Sequence, residues 1–293
     1  MNIIDQGRVR VRRWARAPIG HGLRWRERLS KPYQHELAVC AIFREEAPFL
    51  HEWLTFHAGV GAAHFYLYNN FSTDIFRDVL APWVARGMVT LTEWPVPVGQ
   101  LSAYRHCIRR ARSQCYWLAF IDIDEFLFSP QMTDIRPILR RYVDLQGIVV
   151  WEALYGSDGH ATPPALPVTE AYLRRAPLNQ TTAKTIANPR LIFKVGIHLS
   201  KYWLGDSLDT SRRGVRPGLP PVLDVLRINH YWSRSIEDLT TKIKRDDAST
   251  SMQRDARWHF SFEKTLNIET DDSIVSIARS ILTHEPDQCV RRA

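Results

Sequence analysis

Four short apolar runs recur through the first half of the chain, and they constrain its fold more than any other feature. They are ELAVCAIF (36–43), HFYLYN (64–69), MVTLTEW (88–94) and CYWLAFIDI (115–123). Each is short, rich in β-branched and aromatic residues, and apolar at successive positions, so each reads as a strand that needs cover on both faces. The segments between them read as helices. In APFLHEWLTFHAGVG, Pro48 suits the first turn, Phe49, Trp53, Phe56 and Val60 fall near one face, and Gly59 or Gly61 can end the helix. Ser72, Thr73 or Asp74 can cap a second helix running toward Gly87, with Pro82 expected to kink or split it. Residues 100–114 form a basic helix. This alternation predicts an α/β fold, Rossmann-like, with a mostly parallel central sheet and helices on both faces. In such sheets ligands gather at the carboxyl ends of the strands, where three polar loops fall: REE (44–46), NNFSTD (69–74) and DIDE (122–125).

Beyond residue 147 the pattern loosens. GIVVWEALYGSDGH reads as a strand and a glycine-flanked loop, and sections 163–177 and 212–221 read as excursions or a lid. LRINHYWSRSIEDLTTKIKR (226–245) is a short strand leading into a helix, with Ser235 and Asp238 at capping-box spacing. The last 40 residues read as one amphipathic helix (271–283) and a tail. The organisation expected is a basic arm over 1–33, a single α/β domain over 34–250 and a C-terminal helical extension over 251–293.

Charge sets the arm apart. Residues 1–33 hold nine Arg and Lys against Asp5 and Glu27, a net of +7 out of +8 for the whole chain, so the other 260 residues are nearly neutral. The body of the protein therefore offers no charge support for nucleic-acid binding, whereas the arm, with Trp14 and Trp25, suits peripheral contact with an anionic membrane or a solvated tail. No segment approaches the roughly 20 apolar residues of a membrane span. The arginines of the N-terminus are not followed by an apolar stretch, and no secretory leader is expected. Cys40, Cys107, Cys115 and Cys289 show neither a CxxC pair nor zinc spacing, and most of them sit among apolar residues. Reduced thiols and a cytoplasmic setting, peripheral to the inner face of the membrane, are the expectation. The 32 aromatics, ten of them Trp, serve a core or the stacking of flat ligands equally well.

The stretch FIDIDEFLF (120–128) poses the chemical question. Three carboxylates packed among apolar residues repel one another unless a cation or proton joins them. An Asp-x-Asp at a strand end can hold a hard divalent cation, which in turn bridges the phosphates of a nucleotide. In an extended segment alternate residues share a side, so Asp122 and Asp124 are expected to point the same way. His230, after LRIN, is a further candidate for a metal or phosphate. His57, on a helix, reads as a core or rim histidine, and His160 as a contact for acceptor or phosphate as readily as a structural residue.

FREEAPFLHEWLTFHAGVGAAHFYLYNNFSTD resembles glycosyltransferase family 92, and WLAFIDIDEFLF, YGSDGH, KTIANPR and NHYWSRSIEDLTTKIKR continue the likeness in order, over residues 36 to about 246. The resemblance implies a GT-A fold, a nucleotide-sugar donor such as UDP-galactose, Mn2+ (or Mg2+) as cofactor, and inverting transfer to a glycan or polysaccharide acceptor. It implies that Asp122, Asp124 and His230 hold the metal. Arg44, Glu46, Asn70, Asp74, Asp122, Lys184 and Arg190 would bind the donor, Ser72 standing in the same turn as Asn70 and Asp74. Arg44 and Glu45 replace the Lys and Asn usual in the family. An inverting transfer needs a base for the acceptor hydroxyl; Asp158 and Glu152 are the local candidates. Two rival classes remain. A nucleotidyltransferase or phosphohydrolase would bring a glycine-rich phosphate loop or further carboxylates, and a non-catalytic glycan-binding scaffold would not need Asp122, Asp124 and Glu46 intact.

Overall fold

Alternate residues of the first apolar run enter two different cores, which is why that run has no polar face. In β1 (His35–Phe43), Leu37, Val39, Ala41 and Phe43 join one buried cluster, and Ala38, Cys40 and Ile42 join another. The first cluster is closed by α1 (Ala47–Gly59) and, after β2 (His64–Asn69), by α2 (Phe76–Ala85). The second is closed, after β3 (Val89–Glu93), by Ala103, Tyr104 and Cys107 of α3 (Gln100–Ala111). Helices thus cover both faces of the sheet, as the unbroken apolar runs require.

The computed structural model describes residues 19–20, 22, 33–178, 182–216, 219–245 and 254–283. Further along follow β4 (Cys115–Phe120), β5 (Glu125–Phe128), the short α4 (Arg136–Arg140) and β6 (Gly147–Tyr155). Next come α5 (Val168–Ala171), β7 (Arg174–Arg175), β8 (Ala183–Ala187), β9 (Ile192–Lys194) and β10 (Lys201–Tyr202). The chain continues through β11 (Arg227–Tyr231), α6 (Ile236–Lys244), α7 (Ala256–Glu263), β12 (Glu269–Thr270) and α8 (Val275–Leu282).

The main sheet runs β12-β7-β6-β8-β4-β1-β2-β3, with β11 joining β5 to β6. Within it β4, β1, β2 and β3 are parallel to one another; β8 is antiparallel to both β4 and β6, and β11 is parallel to β6. The chain moves outward from β1 through β2 to β3 and then returns to place β4 on the other side of β1. That reversal opens a crevice at the carboxyl ends of β1 and β4, the place where ligands bind in open α/β sheets.

Several sequence expectations need correction. The fourth strand stops at Phe120, and residues 121–124 form a turn closed by the Glu125 amide on the Asp122 carbonyl (3.1 Å). Asp122 and Asp124 are therefore not alternate residues of a strand. The second helix passes through Pro82 unsplit, since the carbonyl deprived of a donor belongs to exposed Asp78. The C-terminal segment holds two helices, α7 and α8, rather than one. The capping box at Ser235 forms as expected: its hydroxyl accepts from the Asp238 amide, and the Asp238 carboxylate accepts from the Ser235 amide. Cys40, Cys107 and Cys115 are buried free thiols, whereas Cys289 lies outside the described residues, as does the basic arm apart from residues 19, 20, 22 and 33. Among the described residues, no helix is long and apolar enough to cross a membrane.

Candidate active site

The turn that carries Asp122, Asp124 and Glu125 is held from below by the first helix. Trp53 donates its indole N–H to the carbonyls of Asp122 (3.1 Å) and Glu125 (2.9 Å). One helical turn on, His57 donates from Nδ1 to the Trp53 carbonyl (2.8 Å) and accepts the Leu127 amide at Nε2 (3.1 Å). This settles His57 as a core histidine, kept neutral by burial, which pulls its pKa down to about 3. The β1–α1 loop is braced in turn by the NNFSTD turn. Ser72 accepts the Glu45 amide (2.9 Å), Asp74 accepts the Ala47 amide (2.8 Å), and Asn70 donates to the Trp94 carbonyl (2.8 Å). Of the two residues expected to bind donor, Asp74 holds the loop that carries Glu46, and Asn70 ties its own turn to the carbonyls of Trp94 and Val96.

Each acidic side chain of the turn goes its own way. Asp122 accepts from Lys184 Nζ (2.6 Å) on one oxygen and from Gln100 (2.9 Å) and Tyr104 (3.3 Å) on the other. Asp124 accepts from Lys242 Nζ (2.7 Å) and lies 3.5 Å from His230 Nε2. Glu125 is fully buried; one oxygen accepts the Asp122 amide (3.0 Å), and the other lies 3.1 Å from Lys184 Nζ with no donor hydrogen-bonded to it. Asp124, Glu125 and His230 each offer one ligand atom, and these atoms lie within 4.8 Å of one another. The group that could hold a metal thus contains Glu125 where Asp122 was expected, and the Asp122 oxygens accept from Lys184, Gln100 and Tyr104.

Glu152, proposed from sequence as a base, lies buried behind His230. Its Oε2 is 3.1 Å from His230 Nδ1 and also accepts from Thr182 (2.5 Å). It fixes the imidazole with Nε2 toward Asp124, as an outer carboxylate does for a metal-binding histidine. Asp158 does not line the pocket; its carboxylate accepts the Leu173 amide (3.0 Å) and its own amide donates to Asn267 (2.8 Å), which locks a loop. Arg190 is also elsewhere, donating to the Arg112 carbonyl (2.6 Å) and covering the Tyr33 ring. His160 packs edge-on against Tyr172 and bonds the Ala171 carbonyl (3.2 Å), so it too serves structure.

The crevice itself is a cavity of about 310 Å3, bounded by Ile42 and Phe43 of β1 and Arg44 just after it, by the DIDE turn, and by Gln100, Lys184, Lys242 and Arg245. Glu46 is clamped by Arg234 (2.7 Å) and Arg245 (2.5 Å), and Arg245 also donates to the Arg44 carbonyl. Arg254, Trp258 and His259, beyond residue 250 where the sequence reading ends the domain, complete the wall with Trp232. Sequence reasoning missed Lys242, Arg245, Gln100 and Trp258. Glu125 was visible in the same polar loop as the aspartates, residues 122–125, but was given no role.

These neighbours set the protonation of the site. Burial alone would raise the Asp124 pKa, but Lys242 and His230 outweigh it and hold the carboxyl well below the usual range. Glu125 goes the other way: burial, with Asp122 and Glu152 adding to it, lifts it to about 8 against the pull of Lys184. For His230 burial disfavours the charged ring, yet Asp124 and Glu152 dominate and carry it to about 10. Lys184, deeply buried between Asp122 and Glu125, stays charged, its pKa raised by them in spite of desolvation. In this state lysines and protons neutralise the carboxylates.

The sequence model of glycosyltransferase family 92 matches residues 35–261. A family 92 protein of Ricinus communis is 30% identical over 59% of this chain and 32% of its own length, and one of Oryza sativa is 37% identical over 48% and 25%. A galactan β-1,4-galactosyltransferase of Arabidopsis thaliana is 23% identical over 57% of this chain and 36% of its own length. The chain thus spans between a quarter and about a third of the length of these two family 92 relatives. Among solved structures, S. aureus TarS (residues 1–349) aligns with 88% of this chain and 75% of its own at 10% identity and a TM-score of 0.40.

Proposed function

The chain belongs to glycosyltransferase family 92, and on that premise we propose that it moves a hexose from a UDP-sugar to a hydroxyl of a glycan acceptor, with inversion. The observation that carries this reading is the convergence of Asp124, Glu125 and His230 at the sheet's switch point, faced by Lys184, Lys242 and Arg245. Galactose as the sugar, and a galactan-like acceptor, rest on the galactan galactosyltransferases among the relatives.

Two carboxylate oxygens and an imidazole nitrogen fit a divalent cation and suit Mn2+ better than Mg2+, which prefers an all-oxygen, largely hydrated shell. A cation there supplies Lewis-acid neutralisation of the charge on a leaving diphosphate. The chain's own residues supply the rest. Lys242, 2.7 Å from Asp124 and also donating to the Trp232 carbonyl, would stand beside a cation held by that carboxylate and could share its ammonium with phosphate. Glu152 keeps the His230 ring oriented. The Arg234–Glu46–Arg245 clamp fixes the β1–α1 loop over the crevice. Glu125 and Glu152 are the extra carboxylates that a phosphohydrolase would also display; the family match favours transfer. The N-terminal arm is assigned, on its charge alone, to peripheral contact with an anionic membrane on the cytoplasmic side.

The test is a donor screen with UDP-, GDP-, CMP- and dTDP-sugars plus Mn2+, read as nucleotide release with and without galacto-oligosaccharides. UDP release that Asp124→Asn and EDTA both abolish is expected. No turnover of any sugar nucleotide, with or without acceptor, refutes the proposal.

A further inference from the structure

A group of aromatic rings stands at one wall of the crevice, apart from the carboxylates that face the cation site. Trp232 follows the metal-facing His230 by two residues, and its carbonyl accepts a hydrogen bond from Lys242 (2.9 Å). Around it pack three side chains of α7. His259 stacks on Trp232 at 5.4 Å and 21°, Phe262 meets it edge-on at 5.0 Å, and Trp258 meets it at 6.2 Å. Trp258 and Phe262 lie parallel, 5.0 Å apart and 9° from coplanar. Phe262 thus supports one face of the indole, yet Trp258 remains 54% exposed and lines the same cavity as Asp124 and His230.

A single exposed tryptophan is ordinary on a protein surface. This one differs in its setting. It is held flat by a ring beneath it, it borders a polar crevice, and hydrogen-bonding groups flank it. His259 donates from Nδ1 to the Asp255 carbonyl (2.7 Å), which leaves Nε2 as an acceptor beside the indole. Arg254, which donates to the Lys242 carbonyl, lines the crevice next to it. A flat apolar face edged by donors and acceptors complements a pyranose, whose C–H face is apolar and whose rim carries hydroxyls. We propose that Trp258, with His259, forms the acceptor-saccharide platform, and that α7 makes the C-terminal segment part of the substrate site. This rests on the glycosyl-transfer reading for the identity of the saccharide as acceptor. The other flat partner in such a reaction is the nucleobase of the donor, but Trp258 lies on the wall built by β11 and α7, whereas Ile42, Phe43 and Gln100 bound the crevice at β1 and α3.

The experiment compares full-length wild type, Trp258→Ala and Trp258→Tyr. Initial rates are measured with UDP-galactose against a β-1,4-galacto-oligosaccharide series, and binding of the same oligosaccharides without donor is followed by calorimetry. Trp258→Ala should raise the acceptor KM and weaken oligosaccharide binding by about tenfold, equal to about 1.4 kcal/mol, with kcat at saturating acceptor falling much less. Trp258→Tyr, which keeps a flat ring, should recover most of the loss. Unchanged acceptor KM and unchanged oligosaccharide affinity in Trp258→Ala overturn the platform, as does a rise confined to the donor KM, which would assign the ring to the base. Wild type that turns over no sugar nucleotide sinks the glycosyl-transfer reading instead, and the calorimetry still judges the platform: saccharide binding lost in Trp258→Ala upholds it, and wild type that binds no saccharide overturns it.

Discussion

Loading a divalent cation onto Asp124, Glu125 and His230 must expel protons, and the structure sets how many. Glu125 titrates at about 8 and His230 at about 10, so at neutral pH both ligands carry a proton. Both groups have raised pKa values, and the metal takes only the deprotonated forms. The penalty at pH 7 is about one pH unit for Glu125 and about three for His230, together about 5 kcal/mol at 1.36 kcal/mol per unit. Affinity for Mn2+ should therefore climb steeply with pH, by up to about a hundredfold per unit below pH 8 and about tenfold per unit from there toward pH 10. Calorimetric titration of Mn2+ at pH 7 in two buffers of different ionisation enthalpy reads the proton count directly, and about two should leave per metal bound. Glu152→Gln, which removes a carboxylate that helps hold the proton on His230, should lower that ring's pKa and flatten the upper part of the profile. A proton release near zero, or an affinity flat between about pH 6.5 and 8, would show that the cation does not sit on Glu125 and His230.

Other perturbations follow from the same contacts. Lys242→Met removes the ammonium 2.7 Å from Asp124, so Mn2+ alone should bind about tenfold tighter while UDP binds more weakly, measured by titrating each into both proteins. Trp53→Phe leaves the carbonyls of Asp122 and Glu125 without their indole donor; about 1–3 kcal/mol of stability should be lost on chemical denaturation, and Mn2+ affinity should fall although Trp53 does not line the crevice. The folded-state pKa of His57, about 3, lies below its unfolded value. Between about pH 6.5 and 3 only the unfolded chain takes up this proton, so stability drops by about 1.4 kcal/mol per pH unit, while above that window the group contributes no pH dependence. His57→Gln should lower stability at neutral pH yet reduce the acid slope of the denaturation midpoint; an unchanged slope would mean that His57 titrates normally. Deleting residues 2–30 removes most of the +7 arm and should abolish low-salt co-sedimentation with anionic vesicles while leaving turnover of a soluble acceptor largely intact. Equal sedimentation of the two proteins would refute the membrane role.

What the sequence determined by itself is whatever depends on neighbours along the chain. Unbroken apolar runs dictated strands covered on both faces, and the two cores that share β1 are the direct consequence. The alternation of strand and helix placed the polar loops after strand ends, and the carboxylates of residues 122–125 do meet cations there. The Ser235 capping box and the packed His57 were legible for the same reason, since each concerns residues within a turn or two. Tertiary structure decided which cations arrive and which carboxylates are left for a metal. Lys242 reaches Asp124 across 118 residues, Lys184 reaches Asp122 across 62, and Arg245 reaches Glu46 across 199. No periodicity records such pairings. The same holds for Asp158 and Arg190, whose residue types suited catalysis but which the fold spends on locking a loop and on covering Tyr33. Even Glu125 escaped, because one turn after Phe120 breaks the strand and the two-residue alternation no longer says which side chains share a face. Local pattern fixes where backbone goes; the partners of a buried charge are chosen by whatever long-range packing brings within about 3 Å of it.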